Sequence, residues 1–416
     1  MDDAISFLKN IELEGSDFKK DLSCLEVEEQ IEILKISCEE FYPEDEIYKK
    51  LHESIKNNKP LNIKFGIDPL SMDLHIGDIP PLVLSGKLQR MGHSITVLMG
   101  DATAVIGDPF RSWDPKELNR KNIEKNLKQL RKQLDNFLDF GKVSTLYNSS
   151  WLDDVKLPEI IDLMNRVNIT ELLRQGDFPE KLEKNEAIPY AKLLYPFMMG
   201  MDSIRIKPDI EIGASNQSNS FHMCRQMMKA IGLEPELIMT TYPISQAHSI
   251  SINSNPVDIF SLVSKVDKDS IYDWFRLLTE VMPGNLISIK NYINEGKINL
   301  QAIREVLAKI IISRMYDRDS SDSAYIEYMK ELVKNSKTQE VAMISGNVKF
   351  GEFIAASTEL TLAEADELIY TGGVNALSCD GKCLSHIVDC DADINSFEFD
   401  KFYIIISDRL ILSIKK

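Results

Sequence analysis

Long hydrophobic runs are missing from this 416-residue chain. No stretch approaches the roughly eighteen apolar residues that a membrane-spanning helix needs, so none is expected. Cysteine is sparse: Cys24, Cys38, Cys224, Cys379, Cys383 and Cys390 are the six present, too few for a disulfide-built scaffold. Positive charge is in deficit, with 48 Lys plus Arg against 65 Asp plus Glu and a formal charge of -17. That balance argues against a protein that holds phosphate polymers by a general positive field, while leaving room for a local basic face. Neither a G-x-G-x-x-G loop nor a Walker A loop occurs, so a generic dinucleotide or P-loop reading has no anchor. The first residues, MDDAISFLKNIELEGSD, lack the basic region and apolar run of a signal peptide, and the cytoplasm is the expected compartment.

What is present is an ordinary globular composition, 44% hydrophobic and 27% charged, long enough for two or three domains. Residues 1–60 read as charged amphipathic helix through FLKNI, LEVEEQIEILKI and DEIYKKLHESI, with apolar residues returning at three and four. The period then changes. NIKFGI, Asn62 to Ile67, fits a buried strand ended by Asp68-Pro69, and a helical run from about Ile79 to Met91 precedes a second strand, SITVLM. Strand, loop, helix and strand within a short span indicate a parallel α/β sheet. A long polar helix is expected from Pro115 to about Phe140, a return toward the sheet at LYNSSWL, and helical character as far as Glu183. An apolar helix over Ala191 to Met201, a strand at Ile210 to Ile212, a helix over Phe221 to Ile231 and a strand at Leu237 to Thr241 follow. Beyond Asp258 the pattern is helical to about Lys334. A break over Asn335 to Asn347 precedes a compact tail ending in the strand-like FYIIIS and LILSI.

Two places could carry chemistry on residue type alone. Cys379, Cys383 and Cys390, with His386 among them, are the one cluster worth testing as a metal site. Their spacing lacks the tight C-x2-C knuckle, and the reading taken is separate thiols and no metal. The second place is LNIKFGIDPLSMDLHIGD, Leu61 to Asp78, where a strand ends and His75-Ile76-Gly77 stands at the start of the next helix. Helix starts hold unpaired amides and the positive dipole end. Gly77 permits close approach, and His75 can donate to a phosphate oxygen.

The wider chain resembles the tyrosyl-tRNA synthetases, a class I aminoacyl-tRNA synthetase family, in the branch with a lysine (here Lys64) before the GxDP strand end. The match runs in order through KFGIDPLSMDLHIGD, GHSITVLMGDATAVIGDP, NSSWL, LLYPFMMGMDSI and IEIGASNQ. The resemblance implies an α/β fold: a Rossmann-like parallel sheet with a helical insertion, then a helical domain and a small α+β domain like the S4 RNA-binding module. The implied divisions are 1–60, 61–257 with the insertion at about 118–183, 258–340 and 341–416.

It also implies an amino-acid pocket at the carboxyl edge of the sheet. Asp68 and Thr103 match contacts near the ligand's amino group and ring wall. Asp108 matches a further carboxylate by the ammonium, Tyr195 a partner of the amino group, Asp202 the acceptor for a tyrosine hydroxyl, and Gln217 another polar contact. Met199 replaces the family's usual glutamine. Each of these alone is as readily a turn cap, a core tyrosine or a surface acid; their joint placement carries the reading. On the nucleotide side, His75 retains the first histidine of HIGH, but Asp78 replaces the second and Leu70 the usual threonine. Ala214 and Asn216 replace residues of the ribose-binding segment. The mobile KMSKS loop is missing: no Lys or Arg occurs from Ala230 to Ser264, and His248 is the sole potential cation there. The S4-like tail, GEFIAASTELTLAEADELIYTGGVN onward, holds six acids against Lys382 between Gly351 and Ser385.

The expectation is a protein that binds tyrosine or a related aromatic amino acid, with impaired ATP-dependent activation and weak tRNA recognition. No tightly bound cofactor is expected. An active tyrosine-tRNA ligase using ATP with Mg2+ through rebuilt contacts, and a structural or regulatory protein with a remnant pocket, remain open. A homodimer is expected through the insertion, with Ile160, Leu163, Met164 and Val167 as its apolar face.

Overall fold

The computed structural model describes residues 4–105, 120–173, 178–188, 190–244, 250–336, 338–342, 347–379, 384–396, 401–407 and 410–415. The chain divides into two compact units. One is Lys19–Asn253, and the other joins Met1–Phe18 to Ser254–Lys416.

Lys19–Asn253 is built on a six-stranded sheet in the order β1-β6-β5-β2-β3-β4. The strands are β1 Cys38–Tyr42, β2 Asn62–Ile67, β3 Ser94–Met99, β4 Val143–Tyr147, β5 Ile210–Ala214 and β6 Leu237–Thr241. β2 to β6 run parallel, while β1 joins β6 antiparallel. Ile63, Phe65, Ile95, Val97, Ile210, Ile212, Ile238 and Met239 are all buried. Strands covered on both faces read as nearly continuous apolar runs, which is why they were visible in the sequence. Helix Ile79–Arg90 follows β2 and is buried from Ile79 through Leu88. At Gly86 a Cβ would lie 2.6 Å from the Phe137 carbonyl oxygen, so glycine permits that approach. From β2 the sheet grows toward β3 and β4 on one side and toward β5 and β6 on the other. The crevice at the carboxyl ends of β2 and β5 is therefore the topological switch point where such sheets bind ligands.

Residues 1–60 do contain helices, Ala4–Gly15, Val27–Ser37 and Glu44–Asn57, but β1 lies between the second and third. Five residues, CEEFY, are too few to announce a strand against a helical background; the open edge of β6 supplies their hydrogen-bond partners. The first helix belongs to the other unit, where it packs on Leu300–Met315. In the span 118–183, helices Arg120–Leu134, Leu157–Met164, Ile169–Leu172 and Phe178–Glu183 accompany β4, which is an edge strand of the main sheet and so not part of an all-helical insertion. Ile160, Leu163, Met164 and Val167 pack against Phe178, Phe197, Met223 and Met227 of their own chain. Among the described residues nearby, Leu157, Ile161, Ile169, Leu182 and Tyr190 are exposed.

In the second unit, helices Pro256–Val263, Lys268–Leu278, Pro283–Asn294, Leu300–Met315 and Arg318–Asn335 lead to a five-stranded sheet in the order β7-β11-β10-β8-β9. Its strands are β7 Thr338–Ala342, β8 Val374–Ser378, β9 Leu384–His386, β10 Lys401–Ile406 and β11 Leu410–Lys415. β7 falls where the sequence suggested only a break. It pairs parallel with β11, and a partner so distant in sequence leaves no local sign. Helices Phe350–Ser357 and Leu362–Tyr370 close a core of Phe350, Phe353, Ile354, Ile369, Phe402 and Ile404. Of the suspected metal cluster, Cys383 lies outside the described residues and Cys379 is exposed. The Cys390 thiol lies 2.9 Å from the Tyr370 hydroxyl, and the His386 ring stacks on Tyr325. Among the described residues, no helix is long and apolar enough to cross a membrane.

Candidate functional site

The carboxyl ends of β2, β3 and β5 open onto a cavity lined by Asp68, Leu70, Asp78, Thr103, Tyr195, Met199, Asp202, Ala214 and Gln217. Nine of the positions singled out in the sequence thus meet in one place. His75 and Asn216 are not among the lining residues, and Asn216 is exposed. Asp108 and His248 lie outside the described residues.

A chain of hydrogen bonds runs along one wall. The Tyr195 hydroxyl donates to Asp68 Oδ2 at 2.7 Å, and the Thr103 hydroxyl donates to Asp68 Oδ1 at 2.8 Å. Asn148 Nδ2 donates to the Thr103 hydroxyl at 3.1 Å and to Asp202 Oδ2 at 3.2 Å. The Trp151 indole N–H donates to Asp202 Oδ1 at 2.8 Å. Each Asp202 oxygen therefore has one donor and retains a lone pair. Burial pushes the Asp202 carboxyl up to about 7, against the lowering effects of Lys64, Trp151 and Asn148. Gly100 makes this wall possible, because a Cβ there would come within 1.8 Å of Asp68 Oδ1 and 2.5 Å of Thr103 Oγ1. Gln217 Oε1 accepts the Ala214 N–H at 3.2 Å and so holds the turn after β5.

Beneath the wall is a buried polar cluster that motif reading missed. Lys64 Nζ lies 2.7 Å from Glu211 Oε1 and donates to the Ser203 hydroxyl at 2.9 Å. Ser203 Oγ in turn lies 3.1 Å from Glu236 Oε1. Burial opposes the Lys64 charge, but Glu211 and Glu236 more than offset it and hold the ammonium above the ordinary lysine range. Burial and the charge of Glu211 together push the Glu236 carboxyl well above the usual carboxylate range. The available signal was a charged residue inside each of two otherwise apolar strands, NIKFGI and IEIGA, since buried charges persist only when paired. Asn148 and Trp151 stood within NSSWL, but nothing local tied them to Asp202.

The helix-start end of the cavity has a different character. Asp78 Oδ2 accepts the His75 backbone N–H at 3.0 Å, a capping arrangement at the turn His75–Asp78. His75 Nδ1 is 3.8 Å from the same oxygen. The strand-like segment Ile250–Ile252 pairs with this turn: Ile76 N–H donates to the Ile250 carbonyl at 3.2 Å, and Ile252 N–H to the Leu74 carbonyl at 2.9 Å. A carboxylate therefore occupies the start of the helix, the position whose dipole otherwise favours an incoming anion.

The family model "tRNA synthetases class I (W and Y)" matches residues 56–334. A tyrosine--tRNA ligase of Carboxydothermus hydrogenoformans is 29% identical over 371 residues, covering 84% of this chain and 90% of the relative. One from Bdellovibrio bacteriovorus is 29% identical over 365 residues, covering 83% and 90%. Among solved structures, a C-terminally truncated mitochondrial tyrosyl-tRNA synthetase of Aspergillus nidulans superposes with a TM-score of 0.61 at 16% identity, over 78% of this chain and 99% of that one. A tyrosyl-tRNA synthetase of Archaeoglobus fulgidus complexed with L-tyrosine gives 0.58 at 14% identity, over 72% and 100%. With the model spanning most of the chain and the Rossmann-like sheet in place, this chain belongs to the class I tyrosyl-tRNA synthetase family.

Proposed function

We propose that the chain binds tyrosine or a related aromatic amino acid in the cavity above β2 and β5, and that its ATP-dependent activation of that ligand is impaired. The observation that carries this reading is the contrast between the two ends of one cavity. At one end Asp202 is a buried acceptor with two donors and a lone pair to spare on each oxygen, suited to a phenolic hydroxyl. Asp68, tied to Tyr195, is suited to an ammonium, with Asp108 as its proposed second carboxylate. At the other end Asp78 places a carboxylate where a triphosphate needs donors and cations. His75, the remaining position of the degenerate motif, is left as a weak donor, and no tightly bound cofactor is invoked.

Calorimetry tests the division: tyrosine binds with measurable heat, ATP without tyrosine gives little, and exchange of labelled pyrophosphate into ATP stays near background. Failure to bind tyrosine or phenolic analogues, or ready binding of ATP alone, refutes it. Similarity to tyrosine--tRNA ligases over more than four-fifths of the chain favours a second reading, an active ligase of tyrosine and tRNA(Tyr) that uses ATP with Mg2+. Robust tyrosine-dependent exchange would establish that reading instead. We further propose a cytoplasmic homodimer whose acidic S4-like tail recognises tRNA(Tyr) no better than unrelated tRNA.

A further inference from the structure

Lys64, on β2, is a buried cation at the cavity. Lys64 is 1% exposed and lines the cavity floor with Glu211 and Asp202. An ammonium in such a place is far costlier than an apolar side chain unless its charge acts on something. Its direct contacts are Glu211 at 2.7 Å and Ser203 Oγ at 2.9 Å, and Ser203 is the residue that follows Asp202 on helix Tyr190–Ile206. A simple ion pair with Glu211 would already be neutral. The third acid, Glu236, joins through Ser203 at 3.1 Å.

We propose that Lys64 is a positioning residue of the pocket: its buried charge, balanced by Glu211, holds Asp202 as an acceptor and so makes the site select an aromatic amino acid bearing a hydroxyl donor. This rests on the amino-acid-binding reading above. The charged groups acting on Asp202 are Lys64 and Glu211, and its donors are Asn148 and Trp151. Lys64 comes from β2 and Glu211 from β5. Glu236 precedes β6, Cys224 comes from helix Ser218–Ala230, and Asn148 and Trp151 donate from the segment after β4. Burial pushes the Cys224 thiol and the Glu236 carboxyl up, and the floor charges that act on Asp202 are those of Lys64 and Glu211. They act in opposite directions, Lys64 favouring the ionised carboxylate and Glu211 opposing it. Protonated, Asp202 would turn a donor toward the ligand and lose its preference for a phenol.

The opposite signs supply the test. The protein carries three tryptophans, and 5-fluorotryptophan labelling with a W151F control identifies the Trp151 signal, whose indole N–H reports the state of Asp202 without any ligand. In the full-length protein the Trp151 midpoint moves down in E211Q and up in K64M, each by roughly one to two pH units. Because K64M leaves Glu211 buried without its partner, K64M/E211Q is measured as the folded, neutral comparison, and its midpoint lies between those of the single variants. Tyrosine binding by calorimetry then strengthens with rising pH through the same midpoint in each protein, whereas phenylalanine binding does not follow it. Midpoints that coincide across wild type, E211Q and K64M/E211Q, or tyrosine and phenylalanine affinities that fall equally in the variants at every pH, overturn the assignment and leave Lys64 a structural ion pair. Midpoint shifts in the variants together with a wild type that ignores tyrosine overturn the amino-acid pocket and with it the selectivity claim, while leaving the electrostatic link between Lys64 and Asp202 standing.

Discussion

Replacing Asp202 with Asn should change how stability depends on pH, and the structure sets the sign. The carboxyl is 2% exposed and pushed up to about 7 by burial, against 3.8 for an unperturbed aspartate. Between those values the folded protein binds a proton that the unfolded chain has released. Stability contributed by this group is therefore greatest at low pH, falls as pH rises from about 4 to about 7, and is level above that. At about 1.4 kcal/mol per unit, the full penalty is on the order of 4 kcal/mol, of which roughly 2.5 kcal/mol develops between about pH 5 and 8. Asparagine has no proton to lose, so D202N lacks the penalty, although its amide faces one of the two donors badly and lowers stability by a pH-independent amount, about 1–3 kcal/mol. The assay is urea unfolding of both proteins at the two pH values, read from fluorinated Trp151 so that it reports this unit. Glu305 in the other unit, buried and likewise pushed up to about 7, is common to both and cancels in the difference. Wild type should lose about 2.5 kcal/mol more than D202N on going from pH 5 to 8. Equal slopes would show that Asp202 titrates in its ordinary range and would remove the electrostatic reading of the pocket floor.

Other substitutions probe separate parts of the molecule. Gly100→Ala drives a methyl into Asp68 and Thr103, so tyrosine affinity should fall by about tenfold or more in calorimetry with the global unfolding midpoint changed little. Asp78→His removes the carboxylate from the helix start; ATP binding should become measurable, and an unchanged null titration would show that the impairment lies elsewhere. Phe353→Ala empties a fully buried position in the tail core and should destabilise the second unit by about 3–5 kcal/mol in denaturant unfolding, with the nucleotide and tyrosine titrations unaffected.

Much of the fold was legible because local sequence dictates which residues can be buried together. The apolar runs of β2, β3 and β6 and the buried helix after β2 follow from hydrophobic period and turn residues, and their order alone implies a parallel sheet with its crevice at the carboxyl ends. The ordered motifs named the family and brought nine chosen positions to one cavity. Tertiary structure decided the rest. CEEFY became a strand because β6 offered an open edge, and TQEVA because β11 did; a hydrogen-bonding partner far along the chain leaves no period behind. The apolar stripe Ile160, Leu163, Met164 and Val167 told which face of a helix is buried, but the fold showed that it meets Phe178 and Phe197 of the same chain. Likewise, a lysine in one strand and glutamates at Glu211 and Glu236 are only anomalies until the sheet and the helix carrying Ser203 bring them within hydrogen-bond reach. Periodicity fixes which side of an element faces inward, whereas the charge, protonation and partners of a buried group depend on the residues that folding places opposite it.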